Sequence, residues 1–236
     1  MQLEICANSF QSALHAENAG AQRIELCSEL AVGGITPSYG LIKQVIEALK
    51  IPVFVLIRPR SGNFTYSDAE FRIMKQDIEI CKLLGVQGIV SGVLLPDNTI
   101  DLQRTQELIE LSKPLSFTFH RAFDCVPNPF ESLEELIHLG VHRILTSGLQ
   151  PTAEKGLDML KALHEKATDR LTILAGSGIH PENASIFKAA GLSEIHASAS
   201  KVISTENNHA YFGNTQQTVS CIETIKSILE VIQDEV

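Results

Sequence analysis

The stretch LEICANSFQSALHAENAGAQRIELC, residues 3–27, contains one complete strand–helix–strand unit. Short apolar runs at 3–6 and 23–27 flank an amphipathic stretch at 9–19. The spacing of the apolar residues changes between them from the period of a strand to that of a helix. Gly20 follows the helical stretch, and glycine commonly ends a helix at this place. The pattern predicts two parallel strands joined by a helix.

The same unit recurs along the chain, so that eight predicted strands alternate with eight predicted helices. The 236 residues suit an eight-stranded α/β barrel, which typically needs about 250. An open doubly wound sheet is the common alternative, but no GxGxxG follows the first strand. We therefore predict an α/β fold, an eight-stranded parallel (β/α)8 TIM barrel, as a single domain over 1–236. The predicted strands are 3–6, 23–27, 53–58, 88–91, 115–120, 143–147, 171–175 and 194–198, and the predicted helices are 9–19, 38–49, 67–84, 101–112, 130–139, 153–167, 181–190 and 217–233.

The composition argues against several classes of protein. Apolar residues make up 44% of the chain and the formal net charge is −9, which argues against nucleic acid or an anionic membrane as the partner. No apolar run approaches the ~20 residues of a membrane helix. The five cysteines form no CxxC pair, and no secretory leader pattern opens the sequence. We therefore expect free thiols and a cytoplasmic location. The polar stretch 202–216 is expected to be a flexible rim loop.

Polar residues recur on one parity of the predicted strands, near the carboxyl ends. The pattern E-x-C occurs twice, as Glu4 with Cys6 and as Glu25 with Cys27. Residues of the other parity are apolar and are expected to pack beneath the helices. The polar set should therefore face the lumen at the barrel mouth, where active sites of such barrels lie. Its other members are Arg58, Arg60, His120, Glu194, His196 and Ser198.

Cys6 and Cys27 are candidate metal ligands. They lie on strands expected to be neighbours, about 4.8 Å apart. Soft thiolates select Cu(I) and zinc, and a pair without further cysteines suits low-coordinate Cu(I) better than tetrahedral zinc. Packing of both thiols as small apolar groups is the open alternative.

An enzyme is the second interpretation of the same lumen. Glu25, His120 and Asp124 are its candidate catalytic residues, with acid–base chemistry on a phosphorylated or carboxylated small molecule. A lyase, isomerase or hydrolase would fit, while no lumen-facing lysine supports a Schiff base. Loops after strands seven and eight commonly bind phosphate in this fold. The candidate anion-binding residues are Arg58, Arg60, Gly176, Ser177, Gly178 and Ser198.

Two further interpretations stay open at this point. Glu25, His120 and Glu194 offer oxygen and imidazole ligands that suit magnesium, manganese or zinc. The second of these interpretations is a binding or scaffold protein with a degenerate barrel, although the polar lumen argues against it.

Seven sequence blocks, spread from one end of the chain to the other, resemble the CutC copper homeostasis family. The resemblance implies an α/β barrel and copper handling, with Cu(I) held by Cys6 and Cys27. It also implies a cytoplasmic protein that assembles as a homo-oligomer, a dimer or tetramer. The family's blocks include five residues of the predicted barrel mouth, namely Glu25, Arg58, His120, Arg121 and Asp124. The blocks are LEICANS (3–9), GAQRIELCSELAVGGITPS (20–38), IRPRSGNF (57–64), FHRAFD (119–124), ILTSG (144–148), AGSGI (175–179) and IHAS (195–198).

Overall fold

Eight parallel strands close into a barrel in the computed structural model, which describes residues 1–203 and 216–233. Each strand pairs with its neighbours in chain order, and the last pairs with the first, which closes the sheet. The predicted TIM barrel is therefore confirmed, and the open sheet is excluded. The strands are β1 (Gln2–Ala7), β2 (Arg23–Leu26), β3 (Val53–Leu56), β4 (Gly88–Ser91), β5 (Ser116–Phe119), β6 (Arg143–Thr146), β7 (Thr172–Gly176) and β8 (Glu194–Ala197).

In the described part of the chain, eight α-helices surround the barrel, one after each barrel strand. Their starts follow local signals: Ser9 accepts a hydrogen bond from the backbone N–H of Ser12, and Ser67 and Glu70 form a capping box. Gly20 ends the first helix at a φ of 95°, a conformation that glycine adopts without strain. The helices are α1 (Phe10–Ala19), α2 (Tyr39–Ala48), α3 (Asp68–Leu84), α4 (Leu102–Ser112), α5 (Pro129–His138), α6 (Leu157–Ala167), α7 (Ala184–Ala189) and α8 (Ile222–Gln233).

The main core lies between the barrel and the helices, where the apolar parity of each strand packs. Leu3 and Ile5 of β1 are fully buried there, as are Ile24 and Leu26 of β2. A second, smaller apolar cluster fills the lumen and consists of Cys6, Cys27, Phe54, Leu56 and Val90, with Leu30 packed against it. The parity argument is thus confirmed for the first two strands.

Two predicted helix starts are wrong by four residues or more. The stretch predicted to begin a helix at 217 instead contains β10 (Thr218–Ser220), which pairs antiparallel with β9 (Ser200–Val202). The helix predicted from 153 begins only at Leu157, because Gly156 packs against the backbone of Ser147 and has no room for a side chain. Both errors come from partners distant in sequence.

The carboxyl-terminal helix completes the shell around α1. Ile225, Ile228, Leu229 and Ile232 of α8 are buried, and α8 contacts both α1 and α7. The predicted rim loop 202–216 falls mostly on 204–215, which lie outside the described residues.

Candidate functional site

A cavity of about 450 Å³ opens at the carboxyl ends of the barrel strands. This mouth cavity is of the size that small-molecule sites commonly have. Its walls combine apolar and ionisable side chains. The lining residues are Cys6, Glu25, Leu30, Val32, Gly33, Leu56, Arg58, Phe64, His120, Arg121, Asp124, Cys125, Leu145, Ser177, Gly178, Ile179, His196, Ala197 and Ser198.

The two predicted thiol ligands lie side by side in the lumen, where Cys6 lines the mouth cavity and Cys27 is buried beside it. The Sγ atoms of Cys6 and Cys27 are 3.7 Å apart, and both side chains are buried. The hydrogen bond between the thiols and their burial raise the pKa of Cys6 well above its ordinary value, and the charges of Cys27 and Glu25 add to this. The Cys6 thiol is therefore protonated at neutral pH.

Glu25 and His196 complete a cluster of metal-ligating groups with Cys6. One ligand atom from each of the three residues lies within 4.8 Å of the other two. The Cys6 thiol donates to Glu25 Oε1 at a long 3.9 Å. Burial raises the pKa of Glu25 to about 7, and the charge of His196 opposes the shift.

The strand pattern predicts that His196 faces the lumen but indicates no role for it. Its Nδ1 donates to Glu4 Oε1 at 2.7 Å, which leaves Nε2 as the nitrogen available to a ligand. Burial opposes charge on His196, yet the hydrogen bond that it donates to Glu4 and the charges of Glu25 and Glu4 raise its pKa. The pairing of Glu4 with His196 across β1 and β8 was not visible from one sequence, because it depends on the register of the closing strands.

Below the mouth cavity, ionisable side chains form a layer that we call the inner network. Glu4 and Glu194 both accept hydrogen bonds from Arg23. Arg143 donates to Glu194 at 3.0 Å and to Ser116 at 2.8 Å. Burial alone would raise the pKa of Glu4, but the charge of Arg23 and the hydrogen bond from His196 lower it to about 2. Both Arg23 and Arg143 therefore form ion pairs with Glu194. The interpretation of Glu25, His120 and Glu194 as a divalent-metal site is wrong. In the described residues, the groups that lie close enough to share a metal ion are Cys6, Glu25 and His196.

His120 lies in the cavity wall as a neutral imidazole. Burial lowers its pKa to about 3, and the nearby charge of Arg58 adds to this. The backbone N–H of Ala122 donates to Nδ1 at 3.3 Å, so the ring proton is on Nε2. The Nε2–H group of His120 is buried and has no hydrogen-bond partner among the described residues. The ring packs against Phe64 with 4.8 Å between the centroids.

The two predicted arginines occupy different places. Arg58 is buried in the cavity wall, where its guanidinium donates to the carbonyl oxygens of Val32, Gly34 and Gly62 at 2.8–2.9 Å. Arg60 does not line the cavity; it pairs with Glu70 at 2.5 Å on the outside. The parity argument does not extend to Arg60 because this residue lies beyond the end of β3, and hydrogen bonds to Glu70 and to the carbonyl oxygens of Asn63 and Thr65 hold its side chain outside.

Asp124 lies at the cavity rim and joins the loops that follow β5 and β6. Its carboxylate accepts hydrogen bonds from Thr146 Oγ1 and from the backbone N–H groups of Ser147 and Leu149. It also accepts from the Ser147 hydroxyl and from Arg121 Nε at 2.8 Å. Because both carboxylate oxygens accept hydrogen bonds from the loops, Asp124 holds the loops in place. Neither oxygen is left free for the predicted catalytic role.

The glycine-rich loop after β7 reaches the cavity as expected. Ser177 and Gly178 line it and adopt φ values of 88° and 70°, and Ser198 lines it from the loop after β8. Gly176 ends β7 against Leu145, whose side chain leaves no space for a Cβ. The Ser177 hydroxyl donates to the carbonyl oxygen of Pro151. The loop therefore brings its backbone, rather than this hydroxyl, to the cavity.

A family model described as the CutC family matches residues 1–201. The chain belongs to the CutC family. A relative named "family protein CutC" from Proteus mirabilis is 47% identical over 222 residues, which cover 94% of this chain and 88% of that protein. The Homo sapiens protein named "Copper homeostasis protein cutC homolog" is 43% identical over 234 residues, 97% of this chain and 85% of its own.

Solved structures agree with this assignment. The putative copper homeostasis protein CutC from Streptococcus agalactiae has a TM-score of 0.79 and 37% identity, and the match covers 84% of this chain and 98% of that one. Thiamine phosphate pyrophosphorylase from Pyrococcus furiosus has a TM-score of 0.64 at 15% identity over 98% of this chain and 95% of its own. The second likeness shows the barrel fold alone. No helix in the described part of the CutC chain is both long and apolar enough to cross a membrane.

Proposed function

We propose that this chain binds Cu(I) at the barrel mouth through Cys6 and Cys27, as part of copper homeostasis. The observation that carries the proposal is the 3.7 Å distance between the two Sγ atoms. Metal–thiolate bonds of about 2.3 Å place two sulfurs on one ion at most about 4.6 Å apart. Both thiols can therefore reach one ion without movement of the backbone. The human relative carries copper homeostasis in its name.

His196 supports the proposal as a third ligand. Its Nδ1 donates to the Glu4 carboxylate, and this contact fixes the ring and leaves Nε2 for a metal. Histidine ligands commonly donate their second nitrogen to a carboxylate in this way. A thiolate pair with one imidazole is a soft ligand set that suits Cu(I).

Protonation of Cys6 makes the proposed affinity depend on pH. Its hydrogen bond with Cys27, its burial and the charge of Glu25 hold the pKa of this thiol well above the ordinary value. Binding as a thiolate requires loss of that proton. We therefore expect the apparent Cu(I) affinity to rise between pH 6 and 8, by up to about tenfold per pH unit for each proton released.

A competition titration with a Cu(I) chelator tests the proposal. The reference protein carries Cys125→Ser and Cys221→Ser, which remove the thiols that are not buried. Addition of Cys6→Ser with Cys27→Ser should abolish tight binding. Addition of Cys81→Ala is the matched control, because Cys81 is buried outside the lumen.

Equal Cu(I) affinity in the reference protein and in the lumen double variant would contradict the proposal. Circular dichroism of the metal-free proteins checks that each variant folds. A parallel titration with zinc measures the preference for the softer ion.

The proposal includes a cytoplasmic location and a homo-oligomer. The five cysteines are free thiols, which supports a reducing compartment. Exposed Ile73, Ile80 and Leu83 on α3 support assembly.

Acid–base catalysis by Glu25, His120 and Asp124 is the less favoured function, because the Asp124 carboxylate already accepts hydrogen bonds at both oxygens and His120 stays neutral.

A further inference from the structure

Unpartnered buried polar atoms concentrate at the mouth cavity. Six such side-chain atoms occur in the described residues, and three of them belong to cavity-lining residues: Glu25 Oε2, Arg58 Nε and His120 Nε2. An unsatisfied buried polar group costs about 1–3 kcal/mol, and most buried groups in native proteins have a partner. These three atoms around one cavity are available to a ligand that enters it.

Two of the three atoms are N–H donors on the same wall. Both side chains pack on Phe64, whose ring centroid is 5.0 Å from the Arg58 guanidinium carbon and 4.8 Å from the His120 ring centroid. Arg58 Nε carries a hydrogen, and His120 Nε2 carries one because Nδ1 accepts from Ala122. Paired donors next to a positive charge suit an anionic oxygen group.

Arg58 supplies that charge without a carboxylate partner. The side chain is buried, and in residues 1–203 and 216–233 no Asp or Glu forms an ion pair with it. Arg23, the other fully buried arginine, contacts both Glu4 and Glu194. Backbone carbonyls of the loops hold Arg58 in place, so its charge is left for something that enters the cavity.

Glu25 supplies the third unpaired atom, and it is an acceptor when ionised. A hydroxyl group on the ligand would donate to Oε2. The cavity volume of about 450 Å³ exceeds by many times the roughly 30 Å³ that one water occupies. The apolar walls from Leu56, Phe64 and Ile179 suit a carbon skeleton.

We propose that the mouth cavity binds a small hydroxylated organic anion, a carboxylate or a phosphate ester. Its anionic group lies against Arg58 and His120, and a hydroxyl group donates to Glu25. The site adjoins the thiol pair but does not need copper. Ser177 and Gly178, which the sequence analysis predicts to bind anions, also line this cavity and offer their backbone to the ligand.

Isothermal titration of the metal-free, reduced protein tests this site with four matched six-carbon probes. Gluconate and sorbitol 6-phosphate carry the hydroxyls with a carboxylate or a phosphate, sorbitol carries only the hydroxyls, and hexanoate carries only the charge. We expect gluconate or sorbitol 6-phosphate, or both, to bind below about 10 mM and at least about tenfold more tightly than sorbitol and hexanoate. The better of the two identifies the anionic group.

Variants place the ligand in the cavity. His120→Phe and Arg58→Gln should each weaken binding at least about tenfold, because each removes a donor. Arg60→Gln is the matched control, since this neighbouring arginine lies outside the cavity, and it should leave affinity unchanged. Cys6→Ser with Cys27→Ser should retain anion binding, so that failure of the copper proposal and failure of this one are distinguishable.

The wild-type protein gives a second measurement if a variant does not fold. In ¹⁵N-labelled protein the His120 Nε2 resonance should shift and saturate with the same probe. Absence of binding by either hydroxylated anion, equal binding of sorbitol, or unchanged affinity in folded His120→Phe and Arg58→Gln would each overturn the proposal.

Discussion

The inner network and the mouth cavity contain the same types of ionisable residue, but these residues are paired in the inner network and partly unpaired in the mouth cavity. In the inner network each carboxylate contacts an arginine: Glu4 contacts Arg23, and Glu194 contacts both Arg23 and Arg143. In the mouth cavity, only a residue or two further along the strands, Glu25 has one unpaired oxygen. Polar residues in a barrel lumen therefore serve two purposes, and only the pairing of their atoms tells the two apart.

The matched substitution of glutamate by glutamine on adjacent strands tests this difference. Glu4→Gln should lower the free energy of unfolding by about 3–5 kcal/mol at pH 7, because it leaves Arg23 buried with too little negative charge. Chemical denaturation measures the change. A loss no larger than that of an exposed ion pair would show that the inner network is not structural.

The pH dependence of the same substitution should be opposite in the two layers. The pKa of Glu4 is lowered to about 2, so its ionisation stabilises the protein above pH 4.5, and this contribution is lost as the pH falls toward 2. The pKa of Glu25 is raised to about 7, so its ionisation destabilises the protein progressively from pH 4.5 to 7.

Glu25→Gln should therefore raise the stability relative to wild type by roughly 2–3 kcal/mol more at pH 8 than at pH 4. Denaturation of both proteins across that pH range measures the difference. Glu4→Gln is the control, and its destabilisation should instead shrink as the pH falls from 4.5 toward 2. A flat difference between wild type and Glu25→Gln would contradict the buried, unpaired environment of this carboxyl group.

Arg60→Gln should have the smallest effect. The pair of Arg60 with Glu70 is partly exposed, and such pairs contribute about 0–1 kcal/mol. Thermal unfolding should change little, and a shift as large as that of Glu4→Gln would mean that the outer pair matters as much as the inner network.

The fold was predictable because its signals are local. The alternation in residues 3–27 and its repeats predicted the eight barrel strands to within two residues, and Gly20 marked the end of the first helix. The errors at 153 and 217 arose where distant partners decide: β10 forms because β9 lies beside it, and Gly156 is fixed by the backbone of Ser147.

The candidate site was predictable as a set of residues but not as a set of contacts. Strand parity brought Cys6, Glu25 and Cys27 into the lumen as expected, because alternation is a property of any strand. The partners were not predictable, since they depend on register and loop conformation. Arg60 and Asp124 show this most clearly, because each is engaged by loop atoms that no spacing rule reveals.

The packing of α8 has a consequence for any shortened version of this protein. The region matched by the family model ends at residue 201, yet Ile225, Ile228 and Ile232 lie beyond it and cover α1. The Thr218 carbonyl and hydroxyl bind Asn8, so the last strand also fastens the end of β1. A fragment cut at the family boundary would expose the buried alanines of α1 and lose the contacts of β10 with β1, and we expect it to aggregate.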